Sequence, residues 1–356
     1  MRKLVVLGWI AAVVLAGCGQ PAGPGEAPSP ETPEAAPAPQ EPVAESDSAE
    51  VKEILTIGVM PKLMGIDYFE ATRRGAEEAA LELGVELVYD GPVTNDVQQQ
   101  VQMIETWIAK GYDAIAVAPN DPAAVAPVLR EAREAGIKVL TWDADAAADA
   151  RDFFVNQCTN EAVAKALMDV MAEDAGQDAK YLILTGSLTA DNQNMWMAAM
   201  EHYRQEAYPD MANLSETPKV SEENQEMATQ VTADCLKAYP DLQGMFAITS
   251  VALPGAAEAL RKAEASDRVT LTGLATPNVM SEYVKDGTVK RFVMWNVPDL
   301  GYLTVQVAVA SVKGELTPDA TTFTAGRLGE VVILDGEAIL GDPIVFTQEN
   351  VDNYDF

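Results

Sequence analysis

Asp143 and Asp145, the two carboxylates of "TWDAD", stand where an apolar run ends, a pairing that by type and spacing could run acid and base chemistry on a glycosidic bond. The simpler reading is that they accept hydrogen bonds from hydroxyl groups, because nothing else in the chain completes an enzymatic site. There is one histidine, His202, inside the amphipathic stretch "MWMAAMEHYRQEAY", where a solvated or capping role is expected. No Ser-His-Asp, Cys-His or His-rich metal pattern can be built from it. No G-x-x-x-x-G-K-[ST] loop occurs and no G-x-G-x-x-G opens a helix. The residues therefore read as those of a binding protein, not an enzyme, with no metal and no cofactor.

The positive signal is aromatic and planar polar side chains near the ends of apolar runs. A sugar ring offers an apolar C–H face and a rim of hydroxyls, so a sugar site combines aromatic faces with groups able to make paired hydrogen bonds. Tyr68, Phe69, Trp142, Trp196 and Trp295 can supply the faces. Lys62, Asp143, Asn192, Gln193 and Asn296 can supply the polar groups.

The elements that must position them follow from periodicity. Apolar runs at 54–60, 85–89, 113–119, 138–142 and 153–156 alternate with helix-like stretches at 67–83, 96–110 and 122–135. The rhythm repeats in runs at 180–186, 244–250, 269–275 and 291–297. Their helical stretches lie at 159–174, 191–207, 222–238, 254–264 and 298–313. Continuous apolar strands separated by helices indicate an α/β protein whose parallel sheets are covered on both faces. Two such sheets make two doubly wound lobes, and ligands in that architecture bind beyond the carboxyl ends of the strands. The positions so marked are 61–69, 90–95, 119–121, 142–145, 186–193, 249–250 and 295–299.

The chain has 356 residues and a formal charge of −31. Such a surface repels phosphate backbones and anionic lipid heads, which argues against nucleic acid as a partner. Residues 1–17 carry Arg2 and Lys3 ahead of an apolar run too short to span a bilayer, the layout of a secretory signal. From 19 to 50 the chain holds eight prolines, seven acidic residues and no aromatic, so it cannot bury enough apolar surface to order itself and reads as a tether. Two cysteines, Cys158 and Cys235, both fall in what reads as the second lobe, and in an oxidising compartment they could pair.

"LAGC", ending at Cys18, resembles a bacterial lipobox, which implies cleavage before Cys18 and its lipidation. The protein would then sit outside the cytoplasmic membrane on a tether reaching to residue 50. "PKLMGIDYF", "VYDGPVTNDVQQQVQMIETWIAKGYDAIAVAPNDP", "GIKVLTWDAD", "FFVNQ", "GLATPNVMSEYVKDGTVKRFVMWNV" and "VFTQENVDNYDF" resemble the sugar-binding proteins of bacterial ABC importers, in the branch of the rhamnose and autoinducer-2 binders. The likeness covers nearly all of residues 53–356. It implies the type I periplasmic binding protein fold: lobe one from 53–156 plus 297–320, lobe two from 157–296 plus 321–356. Three hinge crossovers fall near 156, 296 and 321. It also implies a monomer that closes on a small neutral sugar and is then met by a membrane permease.

In the autoinducer-2 binders, the ligand lysine and the aspartate after the fourth strand correspond to Lys62 and Asp143. Their Asp-Gln pair corresponds to Asn192 and Gln193, and a proline and an alanine that contact ligand through backbone correspond to Ile248 and Ser250. The wider sugar family's paired aromatics match Tyr68 and Phe69, and its last-crossover amide matches Asn296. Ala144 and Ala275 replace a family arginine and aspartate, so a deoxy sugar or other small polyol fits better than ribose. The alternative implied is a receptor for an autoinducer-2-type furanose.

Overall fold

The computed structural model describes residues 54–356. The expected signal, the expected lipidation site at Cys18 and the expected tether lie outside the described residues. The first half runs β1 (Thr56–Met60), α1 (Asp67–Leu83), β2 (Glu86–Tyr89), α2 (Val97–Lys110), β3 (Ala114–Val117), α3 (Pro122–Glu134), β4 (Lys138–Trp142) and β5 (Phe153–Asn156). The second runs α4 (Asn160–Ala175), β6 (Lys180–Thr185), α5 (Asp191–Ala207), β7 (Ala212–Asn213), β8 (Lys219–Val220), α6 (Gln225–Ala238), β9 (Gly244–Ala247), α7 (Ala252–Lys262), β10 (Thr270–Gly273), α8 (Pro277–Lys285) and β11 (Phe292–Met294). Then come α9 (Val297–Lys313), β12 (Thr322–Thr324), β13 (Glu330–Leu334), β14 (Glu337–Ile339) and β15 (Ile344–Phe346).

Eight strands form one sheet in the order β12-β13-β14-β5-β4-β3-β1-β2, parallel from β14 to β2. A second parallel sheet runs β10-β9-β6-β7, with β8 also on β6. An antiparallel ribbon of β11 and β15 stands beside β10 through a Leu274–Val293 bridge. Every residue of β3 and β9 is buried, as strands covered on both faces must be. Helix starts are set by side chains that accept from free backbone N–H groups: Asp96 for α2, Asp121 for α3, Thr159 for α4 and Asn224 for α6.

Helix α9 is apolar around most of its circumference and packs on β1, β3, β4 and β5 as well as on α1. Two glycines permit that helix crossing. A Cβ at Gly75 would lie 1.7 Å from the Pro298 carbonyl oxygen, and one at Gly301 would lie 1.8 Å from that of Thr72.

Three features differ from the sequence reading. Residues 321–356 do not all join the second lobe. Strands β12 to β14 extend the first sheet, with β14 parallel to β5, and only β15 pairs with the second half. The third crossover therefore lies between Ile339 and Ile344 instead of near 321. The reason is visible in β13, whose residues alternate exposed and buried, a pattern that suits a sheet margin covered on one face. Helix α8 was not anticipated, since its nine residues offer little more than two turns of periodicity. Helix α6 begins at Gln225, not 222, because Glu222 and Glu223 take left-handed backbone, φ 54° and 50°.

Candidate functional site

A cleft enclosing about 650 Å³ of space, its open mouth included, lies where strands of both sheets end. Its lining comes from the turns after β1 (Lys62, Leu63, Ile66) and the start of α1 (Tyr68, Phe69), with Asn95, Asn120 and Asp143 from the turns after β2, β3 and β4. The second half contributes Ser187, Asn192, Gln193 and Trp196 after β6, Glu223 after β8, and Ile248, Thr249 and Ser250 after β9. Ala190, Leu274, Met294 and Trp295 complete it. This is the place that doubly wound sheets reserve for ligands, because the strand ends there open into loops free to vary.

Asp143 is the centre of the polar side. Its backbone is left-handed, φ 63°, and within the lining it is 5% exposed. Tyr68 donates its hydroxyl to Oδ1 at 2.7 Å, and the Lys62 ammonium stands 3.4 Å from Oδ2. Burial first, and then the neighbouring Asp143 charge, push the Tyr68 phenol well above its ordinary pKa, so it remains a neutral donor. That phenol oxygen in turn accepts from Trp295 Nε1 at 3.1 Å. Asn192, in the first turn of α5, accepts from Lys62 Nζ at 3.0 Å and donates to the Asp143 carbonyl at 3.2 Å. Two groups that arise on different sheets are thus joined across the cleft.

Gln193 has a fixed orientation. Its Oε1 accepts from Thr185 Oγ1 at 2.5 Å and from the Gly186 N–H at 2.8 Å, so its amide nitrogen must face the other way, where it donates to Glu223 Oε1 at 2.8 Å. The aromatic side is a chain of rings, edge-on at Tyr68 and tilted between the two tryptophans. Tyr68 meets Phe69 at 5.0 Å and Trp295 at 6.1 Å between centroids, and Trp196 lies 5.9 Å from Trp295.

Ten of the twelve residues singled out in the sequence as ligand contacts line this cleft: Lys62, Tyr68, Phe69, Asp143, Asn192, Gln193, Trp196, Ile248, Ser250 and Trp295. Trp142 stands one layer behind, fully buried, donating Nε1 to the Met60 carbonyl and meeting the edge of Phe69. Asn296 also lies off the lining; its side chain caps α9. Sequence reasoning marked the turns holding Asn95 and Asn120 without choosing those residues. Asn120 donates to the Lys62 carbonyl at 3.0 Å and so shapes the first turn. Glu223 was missed because its stretch reads as the start of a helix.

Asp145 does not share the site with Asp143. Arg151 holds it with two bonds of 2.6 and 2.7 Å, and Thr141 donates to it as well. A carboxylate so committed is a structural anion and has no place in an acid–base pair with Asp143. Cys158 and Cys235 are both free thiols, not the disulfide that their compartment allowed. Each is buried, and burial raises both pKa values, which keeps the thiols protonated. His202 is exposed beside Glu206, the solvated position expected of it.

Comparison with known proteins agrees with this geometry. Residues 57–316 match the family described as "Periplasmic binding protein domain". The ribose import binding protein RbsB of Salmonella typhimurium is 26% identical over 267 residues, covering 73% of this chain and 86% of its own. Two solved structures superpose with a TM-score of 0.80. LsrB from Clostridium saccharobutylicum in complex with AI-2 is 27% identical and covers 85% of this chain and all of its own. A solute-binding protein of an ABC transporter from Clostridium phytofermentas with bound L-rhamnose is 29% identical and covers 84% of this chain and 98% of its own. Cleft, sheets and kinship converge: the chain belongs to the periplasmic binding protein family, as a sugar-binding, non-enzymatic receptor of an ABC importer with the type I fold.

Proposed function

We propose that this protein is anchored outside the cytoplasmic membrane by a lipid on Cys18, captures a small neutral sugar between its two lobes, and delivers it to an ABC permease. The observation that carries the choice of ligand is the cleft lining itself. Tyr68, Phe69, Trp196 and Trp295 stand beside the polar set Lys62, Asp143, Asn192 and Gln193, the combination that a ring with one apolar face and a hydroxyl rim requires. The Lys62–Asp143 pair offers charge-assisted bonds without adding net charge. Ligand would favour the closed form by its differential affinity for it, and the permease would read that form.

A second reading, a receptor for an autoinducer-2-type furanose, is favoured by Lys62, Asp143 and Gln193 all lining the cleft and by the fold shared with LsrB. A melting-temperature screen separates the two. The purified chain, denatured and refolded to strip ligand, is tested against rhamnose, fucose, ribose, xylose, galactose, erythritol and autoinducer-2. A true ligand at 100 times its Kd adds about 2.7 kcal/mol of stability. A single neutral sugar that responds supports the first reading, autoinducer-2 alone supports the second, and silence across the panel counts against both.

A further inference from the structure

Glu223 is a carboxylate that the surrounding geometry holds in the cleft without neutralising it. Three pieces of chain build its seat. Gly186, at the end of β6, leaves the space: a Cβ there would fall 1.9 Å from Glu223 Oε1 and 2.3 Å from its Cδ. Gln193, its own oxygen occupied by Thr185 and Gly186, can turn only its amide N–H toward that carboxylate. The backbone at Glu222 and Glu223 is left-handed at two successive non-glycine residues, a conformation that persists only where neighbours enforce it. Among the described residues no cation forms an ion pair with Glu223, whereas Lys62, the lysine of the lining, is already paired with Asp143. The charged groups of the lining are these three, so the cleft carries one net negative charge, located on the second sheet's side.

We propose that Glu223 is a ligand-contacting and specificity-determining residue. It accepts hydrogen bonds from hydroxyls of the bound sugar across the cleft from Asp143, and its charge selects against sugar acids and sugar phosphates. A carboxylate accepts bonds about twice as strong as a neutral group does. An anionic ligand brought beside an unpaired carboxylate meets repulsion that the half-buried surroundings strengthen, a rejection device as much as an attraction. The assignment rests on the neutral-sugar reading above and adds to it the group that enforces neutrality.

The test uses the full chain and titration calorimetry with neutral aldoses and with the matching acids, galactose against galacturonate among them. Glu223→Gln keeps an oxygen to accept from Gln193 but removes the charge. Gly186→Ala keeps the charge but pushes the carboxylate out of its seat, a displacement that a flexible side-chain end accommodates at small cost. Both variants are expected to bind the neutral sugar about 10- to 100-fold more weakly. In Glu223→Gln the preference for neutral over acid form should also narrow, with the ligand-free melting temperature unchanged. If the wild-type chain binds a neutral sugar and both variants match it in Kd and in that preference, the Glu223 assignment alone is overturned. A wild-type chain that prefers the acid, or binds neither series, removes the neutral-sugar reading and this assignment together.

Discussion

Asp143 draws Lys62 and Tyr68 to its side chain, while Gln157 and Asn192 both donate to its carbonyl at 3.2 Å. Its acceptor oxygens are therefore oriented before any ligand arrives, and little further ordering is needed on binding. Replacing Asp143 with Ala removes a charged acceptor, takes the counter-ion from the Lys62 ammonium, which keeps its bond to Asn192, and leaves the Tyr68 hydroxyl without its acceptor. The expected loss of sugar affinity is about 1.5 to 3 kcal/mol; calorimetry returning the wild-type Kd would remove Asp143 from the site. Asp143 was legible in the sequence because a short polar residue directly after an apolar strand can face only the loop end of a parallel sheet. Trp142, its neighbour, was placed one layer too far forward, since successive strand residues point to opposite faces and the sequence does not say which face is the cleft. Glu223 carried no such signal, because it sits in a turn of left-handed backbone and its carboxylate is received by Gly186 and Gln193, 30 or more residues away along the chain.

At the scale of elements, α4 and α5 are joined by a carboxylate. Asp169 of α4 accepts from Tyr203 at 3.0 Å and Tyr208 at 2.7 Å and is bonded to Lys165 one turn before it. Burial pushes its pKa up, but the bonds from Lys165, Tyr208 and Tyr203 outweigh burial and hold it below the usual carboxylate range. A carboxylate depressed in this way contributes stability above its unfolded pKa of about 4, and the contribution is lost as pH falls through the lower folded value. The melting temperature of the wild type is therefore expected to exceed that of Asp169→Asn at pH 7, with the gap closing below about pH 4. A gap that stays constant or widens on acidification would contradict this account. Among the elements, α1 and α5 were readable to the residue, since each repeats its apolar spacing over more than four turns. Strands β12 to β14 were not, because β12 and β14 have only three residues each and β13, EVVIL, carries Val332 and Leu334 on its exposed face, so its alternating burial leaves no alternation in the sequence.

For the molecule as a whole, the chain passes between the sheets three times: after β5, before α9 and between β14 and β15. Across the cleft the halves meet through Lys62–Asn192, Asn192–Asp143 and Trp295–Tyr68. Few covalent crossings and a small set of polar bridges suit a clamp whose halves turn about the crossovers as units. Small-angle scattering is expected to show a smaller radius of gyration with saturating sugar than without. In Asn192→Ala, which removes two of these bridges, the population should shift toward the wider form. A radius of gyration that does not change while calorimetry shows sugar bound would argue against closure.

The sequence by itself determined the α/β class, the two parallel sheets and the strand-end turns that could hold a ligand. Those depend on local periodicity and on the general rule that parallel strands present their carboxyl ends to one side. It also carried the family likeness. Only the tertiary structure decided that Asp145 belongs to Arg151, that Cys158 and Cys235 stay apart as thiols, that 322–339 completes the first sheet, and that Glu223 faces the cleft. Each of these is a choice of partner between residues distant in the chain or set by a turn, and partner choice is fixed by packing and charge in three dimensions, which no local pattern records.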